Sequence, residues 1–242
     1  MKDRLTVITT THHTPSDRLH IKGIRPDTKT DLLEYVWEEL TKKIDSDVRW
    51  IISLDYEKKD NPAVVEYKEN IEKMIEEKYP NAELYLADGW RSNMIDAKNM
   101  VETPYFLFWE HDWVFTENAT FNSLNYLLDI MDNTTLVNWI RFNKRENVPV
   151  LGDAKVWNPR QFGGQDFVNI TNWSNNPHIC RKSFWDDIPM EILSNEVVDP
   201  NHLCTENILT NNCTENWGCY LYGAPNHPRS VEHLNGNKWV KK

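Results

Sequence analysis

Short apolar runs alternate with amphipathic segments through the first half of the chain. The apolar runs are rich in β-branched and aromatic residues and predict buried strands, whereas the amphipathic segments repeat apolar residues at helical spacing. The predicted strands are 5–10, 49–55, 83–87, 105–115 and 136–142, and the predicted helices are 30–44, 64–79, 93–101 and 121–131. Strands that alternate with helices predict an α/β fold with a mainly parallel sheet covered on both faces.

The regular pattern fades after about residue 143, where Trp, Asn, Gly and Pro become frequent. A short strand at 178–180 and a helix at 206–211 are the elements predicted there. Loops carried on a rigid sheet are common sites of substrate recognition. Because the sequence contains no repeat, low-complexity tract or linker, we expect a single domain over residues 1–242 with a loop-rich C-terminal half.

Charge and hydropathy exclude two kinds of partner. The 242 residues carry a formal net charge of −10, and no continuous basic face is available to follow a phosphate backbone, so nucleic acid is not expected. No run of 18 apolar residues occurs, so no membrane-spanning segment is expected. The basic end 238–242 offers only weak attraction to a membrane surface. Peripheral contact with a membrane would therefore be weak.

The cysteines indicate the compartment. Cys180, Cys204, Cys213 and Cys219 contain no C-x-x-C pair, and the chain shows no apolar secretory segment at its start. These features favour reduced thiols in a cytoplasmic protein. A zinc site made of His202 and the last three cysteines is an alternative, although its spacing is poor.

Two carboxylates follow the apolar part of the predicted strand 105–115. Glu110 and Asp112 are two positions apart, so an extended chain places both on the same side of the strand. They repel each other unless a cation lies between them. Mg²⁺ or Mn²⁺ suits such a site, together with the oxygens of a substrate diphosphate. The alternative is a solvated acidic turn at the end of a strand.

The order of these elements resembles the GT-A fold of nucleotide-sugar glycosyltransferases, most closely their family-2-like group. The matching segments are the first strand, Ser53-Leu54-Asp55 at the end of the second strand, Ala97-Lys98-Asn99, which is similar to an Ala-Arg-Asn element, and 105–112, which is similar to a strand leading into Asp-x-Asp. The resemblance covers about residues 5–115. It implies a nucleotide-sugar-binding half over 1–115 and an acceptor-binding half over 116–242.

The resemblance also implies the ligands of a donor site for a UDP- or GDP-sugar. Asp112, with Glu110 bound directly or through water, would hold Mn²⁺ or Mg²⁺ against the diphosphate. His233 would be a further metal ligand, with His227 as the alternative. The residues expected to contact the donor are Thr10, Thr11, Asp55, Lys98 and Asn99.

An inverting transfer also needs a carboxylate that takes the proton from the acceptor hydroxyl. The resemblance implies a base near a helix start in the second half, and Glu206 is the nearest match. Asp166, after the flexible Gly163-Gly164 pair, is the second choice, and Asp153 is the third. The helix dipole alone also favours a Glu in a first turn, so Glu206 has a structural explanation as well.

Two other functions compete with a glycosyltransferase that acts on a glycan. A nucleotidyltransferase would use a similar sheet and metal, but it usually carries a Gly-rich basic loop after the first strand, where this chain has Thr-Thr-His-His-Thr-Pro at 10–15. A non-catalytic carbohydrate-binding module is suggested by tryptophans in loop-like segments, whose rings suit sugars. These are Trp90, Trp157, Trp173, Trp217 and Trp239. Most such modules are all-β, unlike the pattern of this chain.

Overall fold

The computed structural model describes residues 1–13, 28–148, 158–195 and 205–234. Its strands are β1 (Leu5–Thr11), β2 (Arg49–Asp55), β3 (Ala82–Ala87), β4 (Tyr105–Glu110), β5 (Trp113–Phe115), β6 (Trp139–Arg141), β7 (Asn158–Phe162), β8 (Gln165–Asn169), β9 (His178–Arg181), β10 (Cys219–Tyr222) and β11 (Val231–His233). Its α-helices are α1 (Asp31–Thr41), α2 (Pro62–Lys78), α3 (Trp90–Asn99), α4 (Leu124–Asn133), α5 (Lys182–Asp187), α6 (Pro189–Asn195) and α7 (Thr205–Asn212).

Nine strands form one sheet in the order β3-β2-β1-β4-β9-β6-β10-β8-β7, so strands from both halves of the chain share it. The four strands from the first half pair in parallel. β9 then lies antiparallel between β4 and β6, and β10 is parallel to β6 but antiparallel to β8. The expected mainly parallel sheet therefore describes the first half, and the complete sheet is mixed.

Glycines explain the hairpin between β7 and β8. Phe162 pairs with Gln165, so the turn contains two residues, Gly163 and Gly164. Both have positive φ, 56° and 86°, a conformation that other residues rarely adopt. This hairpin forms the edge of the sheet farthest from β3.

Helices cover both faces of the sheet because side chains alternate along the buried strands. In β4, Leu107 and Trp109 belong to the same apolar core as residues of α1, α2 and α4. Phe106 and Phe108 face the other way and join a second core with residues of α3, α5, α6 and α7. The first core includes Trp50 of β2, whose indole nitrogen donates to Thr9 Oγ1 at 2.8 Å.

Local signals in the sequence start two of these helices. Asn61 caps α2 by accepting a hydrogen bond from the backbone N–H of Ala63, and Pro62 occupies the first turn, where no N–H is needed. Ser123 caps α4 in the same way through the N–H of Asn125. Among the described residues, no helix combines the length and apolar character needed to cross a membrane.

The prediction of one strand over 105–115 is wrong. β4 ends at Glu110, and β5 begins at Trp113 and pairs with β11 in a separate two-stranded sheet. The indole of Trp113 donates to Glu110 Oε2 at 2.9 Å, and the indole of Trp109 donates to the carbonyl of Trp113 at 2.8 Å. These two bonds stabilise a turn that the apolar pattern alone does not show.

Candidate functional site

The carboxyl ends of β1, β2 and β4 meet at one edge of the sheet. Parallel pairing sets Thr10 beside Glu110 and Thr11 beside Leu54, and Asp55 is the last residue of β2. In open α/β sheets, ligands bind beyond this edge. The structure therefore brings together four of the residues that the sequence analysis selected.

Glu110, Asp112 and His233 form a compact group at this edge. Each offers one ligand atom, and the three atoms lie within 4.8 Å of one another. His233 Nε2 is 3.0 Å from Asp112 Oδ2, and the backbone N–H of Leu234 donates to the carbonyl of Asp112 at 2.7 Å. The pairing of β11 with β5, which sets His233 opposite Trp113, holds the imidazole in this position.

The electrostatics of this group favour a cation. Burial, together with the charge of Asp112, raises the pKa of Glu110 to about 7. Burial lowers the pKa of His233, but the hydrogen bond to Asp112 and its charge outweigh this effect, so the pKa is raised overall. Two carboxylates and an imidazole fit Mn²⁺, and the two carboxylates fit Mg²⁺. Within the described part of the chain, no other group of three potential metal ligands is found.

Hydrogen bonds hold Thr10, Thr11 and Asp55, three of the residues that the sequence analysis selected at this edge. The hydroxyl of Thr11 lies 2.8 Å from that of Tyr67, and burial raises the pKa of Tyr67 well above its usual range. The carbonyl of Thr10 accepts from the backbone N–H of His111 at 3.0 Å. Asp55 is half-buried and accepts from the N–H of Glu57 at 3.3 Å. These contacts fix the backbone around this edge of the sheet.

Lys98 is completely buried and is not a surface charge. Its Nζ lies 4.4 Å from the ring centre of Phe108 and 4.3 Å from that of Trp185, and it has no hydrogen-bond partner among the described residues. Burial lowers its pKa to about 7, against the opposing effect of acidic groups that include Glu206 and Glu110. A buried ammonium without a hydrogen bond is costly, and such groups cluster at functional sites.

Asn99 differs in exposure from the neighbouring Lys98. Its side chain is exposed and lines a surface groove between α3 and α6, together with Asp96 and Leu193. The Lys98 side chain points into the core instead. The Ala-Lys-Asn element therefore places its lysine, and not its asparagine, among the acidic residues of the site.

Glu206 lies in the first turn of α7 and is half-buried. Its Oε1 accepts hydrogen bonds from Ser174 Oγ at 2.9 Å and from the backbone N–H of Asn175 at 2.5 Å. Its charge affects both Lys98 and Glu110, so it belongs to the same electrostatic group as the metal-ligand candidates. The contacts of Ser174 and Asn175 with Glu206 could not be predicted from the sequence, because they join segments that are distant in the chain.

The other candidate bases are differently placed. Asp166 is exposed on β8 and accepts from Gln161 Nε2 at 3.0 Å. Four strand spacings separate β8 from β4, which corresponds to about 19 Å. Asp153 lies outside the described residues. His227, the alternative metal ligand, packs edge-on against Tyr222 with ring centres 5.3 Å apart.

The described loop tryptophans and the described cysteines are buried in the protein interior. Trp173 and Trp217 are buried, and Trp173 stacks on Trp139 with ring centres 4.6 Å apart, so the expectation that they form sugar platforms is wrong. They fill the second core. Trp157, Trp239 and the side chain of Trp90 lie outside the described part.

Among the cysteines, Cys180, Cys213 and Cys219 are free and buried, whereas Cys204 and His202 of the alternative zinc site are not described.

The fold is of the GT-A type, as comparison with solved structures shows. S. aureus TarS 1–349 in complex with UDP-GlcNAc superposes with a TM-score of 0.56 at 11% identity, over 98% of this chain and 62% of that chain. A mannosyltransferase from Pyrobaculum calidifontis in complex with GDP-Man and Mn²⁺ gives a TM-score of 0.51 at 10% identity, over 92% and 55%. This chain thus spans about 60% of the length of the first structure. No protein-family model and no curated protein matches the sequence.

Proposed function

We propose that this protein is a metal-dependent glycosyltransferase that moves a sugar from a nucleoside diphosphate sugar to a hydroxyl of a glycan, with inversion at the anomeric carbon. The observation that carries the proposal is the Glu110–Asp112–His233 group at the carboxyl end of β4 in a GT-A-type fold. Neighbours of this fold bind UDP-GlcNAc, or GDP-Man with Mn²⁺, which supports the same class of donor here.

The donor half, residues 1–115, would bind the nucleotide beyond β1 and β2. Asp55 would accept hydrogen bonds from the base or the ribose, and Thr10 and Thr11 would form the floor of the pocket. Asp112, Glu110 and His233 would hold Mn²⁺ or Mg²⁺. When bound, the cation would stabilise the negative charge that develops on the diphosphate as its bond to the sugar breaks.

The acceptor half, residues 116–242, would supply the base. Glu206 takes the proton from the acceptor hydroxyl, the oxygen forms a bond to the anomeric carbon, and the diphosphate leaves from the opposite face. Ser174 and Asn175 bind one oxygen of this carboxylate and thereby orient the other. Because Lys98 is completely buried, it would act on the donor sugar or the phosphates only through the field of its positive charge and not by direct contact.

The test is nucleotide release from a panel of UDP- and GDP-sugars, measured with Mn²⁺ and with EDTA. We expect release from at least one donor, dependent on the metal and lost in Asp112→Asn. The matched control is Asp186→Asn, which removes an exposed carboxylate paired with Lys182. Release that survives EDTA and Asp112→Asn unchanged would overturn the metal-dependent mechanism.

A further inference from the structure

Trp113 contacts two of the three candidate metal ligands. It is the first residue of β5 and is buried. Its indole N–H donates to Glu110 Oε2 at 2.9 Å. Its ring also packs edge-to-face with the imidazole of His233, with ring centres 4.8 Å apart and planes at 71°. One side chain therefore links a carboxylate at the end of β4 to an imidazole on β11.

The hydrogen bond from Trp113 fixes the orientation of the Glu110 carboxylate. It occupies Oε2, and among the described residues no other hydrogen bond to this carboxylate is found. The second oxygen, Oε1, is therefore available to a cation. An indole is a neutral group that donates one hydrogen bond, so it orients the carboxylate without taking the place of a cation, as a lysine or an arginine would.

The register of β5 and β11 places the indole of Trp113 beside the imidazole of His233. The two residues are directly opposite in this antiparallel pair, where side chains share a face and interact. The pairing of the two segments continues past β5, since the backbone N–H of Thr116 donates to the carbonyl of Ser230 at 2.9 Å. The ring contact therefore supports the imidazole in the orientation in which its Nε2 lies 3.0 Å from Asp112 Oδ2.

Trp109 holds Trp113 in turn. The completely buried indole of Trp109 donates to the backbone carbonyl of Trp113 at 2.8 Å, and both residues belong to the first core. The indole of Trp113 is thus fixed before any cation binds. Ligands held by such a fixed neighbour lose little freedom on binding a cation.

Core packing alone does not account for the hydrogen bond to Glu110. A phenylalanine at position 113 would fill much of the same space, but it would bring no N–H to the carboxylate. Groups that hydrogen-bond a metal ligand orient it, and their loss typically lowers metal affinity by about 10- to 100-fold. The contact of Trp113 with Glu110 is of this kind.

We propose that Trp113 is a positioning residue of the cation site, whose N–H orients Glu110 and whose ring supports His233. The inference rests on the proposed function, since it concerns the same group of ligands. It goes beyond that function because it assigns control of metal affinity to a side chain that offers no ligand atom of its own.

Titration of Mn²⁺ into the nucleotide-free protein tests this role. Trp113→Phe keeps a ring beside His233 but removes the N–H, so we expect the dissociation constant for Mn²⁺ to rise by about tenfold. Trp50→Phe is the matched control, because Trp50 is buried in the same core and donates its indole N–H to Thr9 Oγ1 at 2.8 Å. Both variants lose one buried hydrogen bond, but only Trp113→Phe should lose affinity for Mn²⁺.

Two spectroscopic measurements separate positioning from packing. The electron paramagnetic resonance spectrum of bound Mn²⁺ reports the geometry of its ligands, so it should change in Trp113→Phe and remain as in the wild type in Trp50→Phe. In the wild type itself, the indole N–H nuclear magnetic resonance signal of Trp113 should shift on addition of Mg²⁺ by more than that of Trp50, because its acceptor is then a metal ligand.

The outcomes separate this inference from the proposed function. Unchanged Mn²⁺ affinity and an unchanged spectrum in Trp113→Phe would overturn the role of Trp113 and leave the proposed function intact. Equal losses of affinity in Trp113→Phe and Trp50→Phe would also overturn it, because they would report lost packing. An unshifted Trp113 signal in the Mg²⁺-bound wild type would do so even if Trp113→Phe did not fold. Failure of the wild type to bind Mn²⁺ or Mg²⁺ would instead contradict the proposed function, and this inference with it.

Discussion

His233 Nε2 lies 3.0 Å from Asp112 Oδ2, although the two residues come from opposite halves of the chain. The contact follows from the pairing of β5 with β11, a two-stranded sheet separate from the main one. Of the three ligand candidates, Glu110 and Asp112 need only the end of β4 to be close together. His233 reaches them because a late segment of the chain folds back beside β5.

Substitution of His233 should weaken metal binding. His233→Gln removes the imidazole ligand and leaves both carboxylates, so we expect the affinity for Mn²⁺ to fall by at least about tenfold, the lower end for changes around metal sites. Calorimetric titration with Mn²⁺ measures this. His227→Gln is the control, since His227 packs against Tyr222 outside the group. Equal affinities in both variants and the wild type would remove His233 from the site.

The stability of the metal-free protein should depend on pH through Glu110. Its pKa in the folded chain is about 7, above the ordinary 4.5, so the folded protein holds a proton that the unfolded chain releases between these values. The contribution of Glu110 therefore decreases as pH rises from about 5 to about 7. The raised pKa of His233 acts in the same direction. The stability that protonated His233 contributes is lost as the pH rises through the pKa of His233 in the folded protein.

Comparison with Glu110→Gln isolates this contribution. The unfolding free energy of the metal-free wild type, relative to that of the variant, should fall by on the order of 1–3 kcal/mol between about pH 5 and pH 8, as measured by denaturant unfolding. Mn²⁺ competes with protons for the same groups, so it should stabilise the wild type more at the higher pH. A constant difference between the two proteins at every pH would contradict the described environment of Glu110.

Lys98 should reduce stability while supporting activity. Its folded-state pKa of about 7 lies below the ordinary 10.5, so the wild type should gain stability as pH rises from about 7 to about 10. Lys98→Met removes the buried charge, and we expect on the order of 2 kcal/mol more stability near neutral pH together with reduced turnover. Denaturant unfolding at both pH values measures this, with the exposed Lys73→Met as control. A variant that is less stable, or fully active, would contradict the account.

The variant Glu206→Gln distinguishes two roles for Glu206, a catalytic base and a residue that only stabilises the first turn of α7 through the helix dipole. The amide keeps an acceptor for Ser174 and Asn175 but cannot take a proton, so turnover should fall by about 10²–10⁴ with little change in nucleotide affinity. Glu191→Gln is the matched control, because Glu191 also occupies a first turn, that of α6, and is exposed. Unchanged turnover in Glu206→Gln would leave only the structural role.

The first half of the fold was predictable because its elements are long and periodic. β1 and β2 are strands of seven residues, rich in β-branched and apolar side chains and buried almost throughout. α1 and α2 repeat apolar residues at helical spacing. The carboxyl ends of such strands necessarily meet at one edge. Asp55, Thr10 and Glu110 could therefore be placed together from sequence alone.

The second half was not predictable in the same way. β10 and β11 contain four and three residues, too few to show a period, and the hairpin of β7 and β8 has a largely exposed first strand. The environment of Glu206 depends on hydrogen bonds from a distant loop, and the burial of Lys98 depends on packing against Trp185. Neither relationship leaves a local signal in the chain.

The most direct test of the central claim is calorimetric titration of the protein with UDP and with GDP, each in Mn²⁺ and again in EDTA. The account predicts that one nucleotide binds in Mn²⁺ and that EDTA abolishes the binding, because the diphosphate needs a cation held by Glu110, Asp112 and His233. Binding of neither nucleotide in Mn²⁺, or equal binding in EDTA, would contradict a metal-dependent donor site at the end of β4.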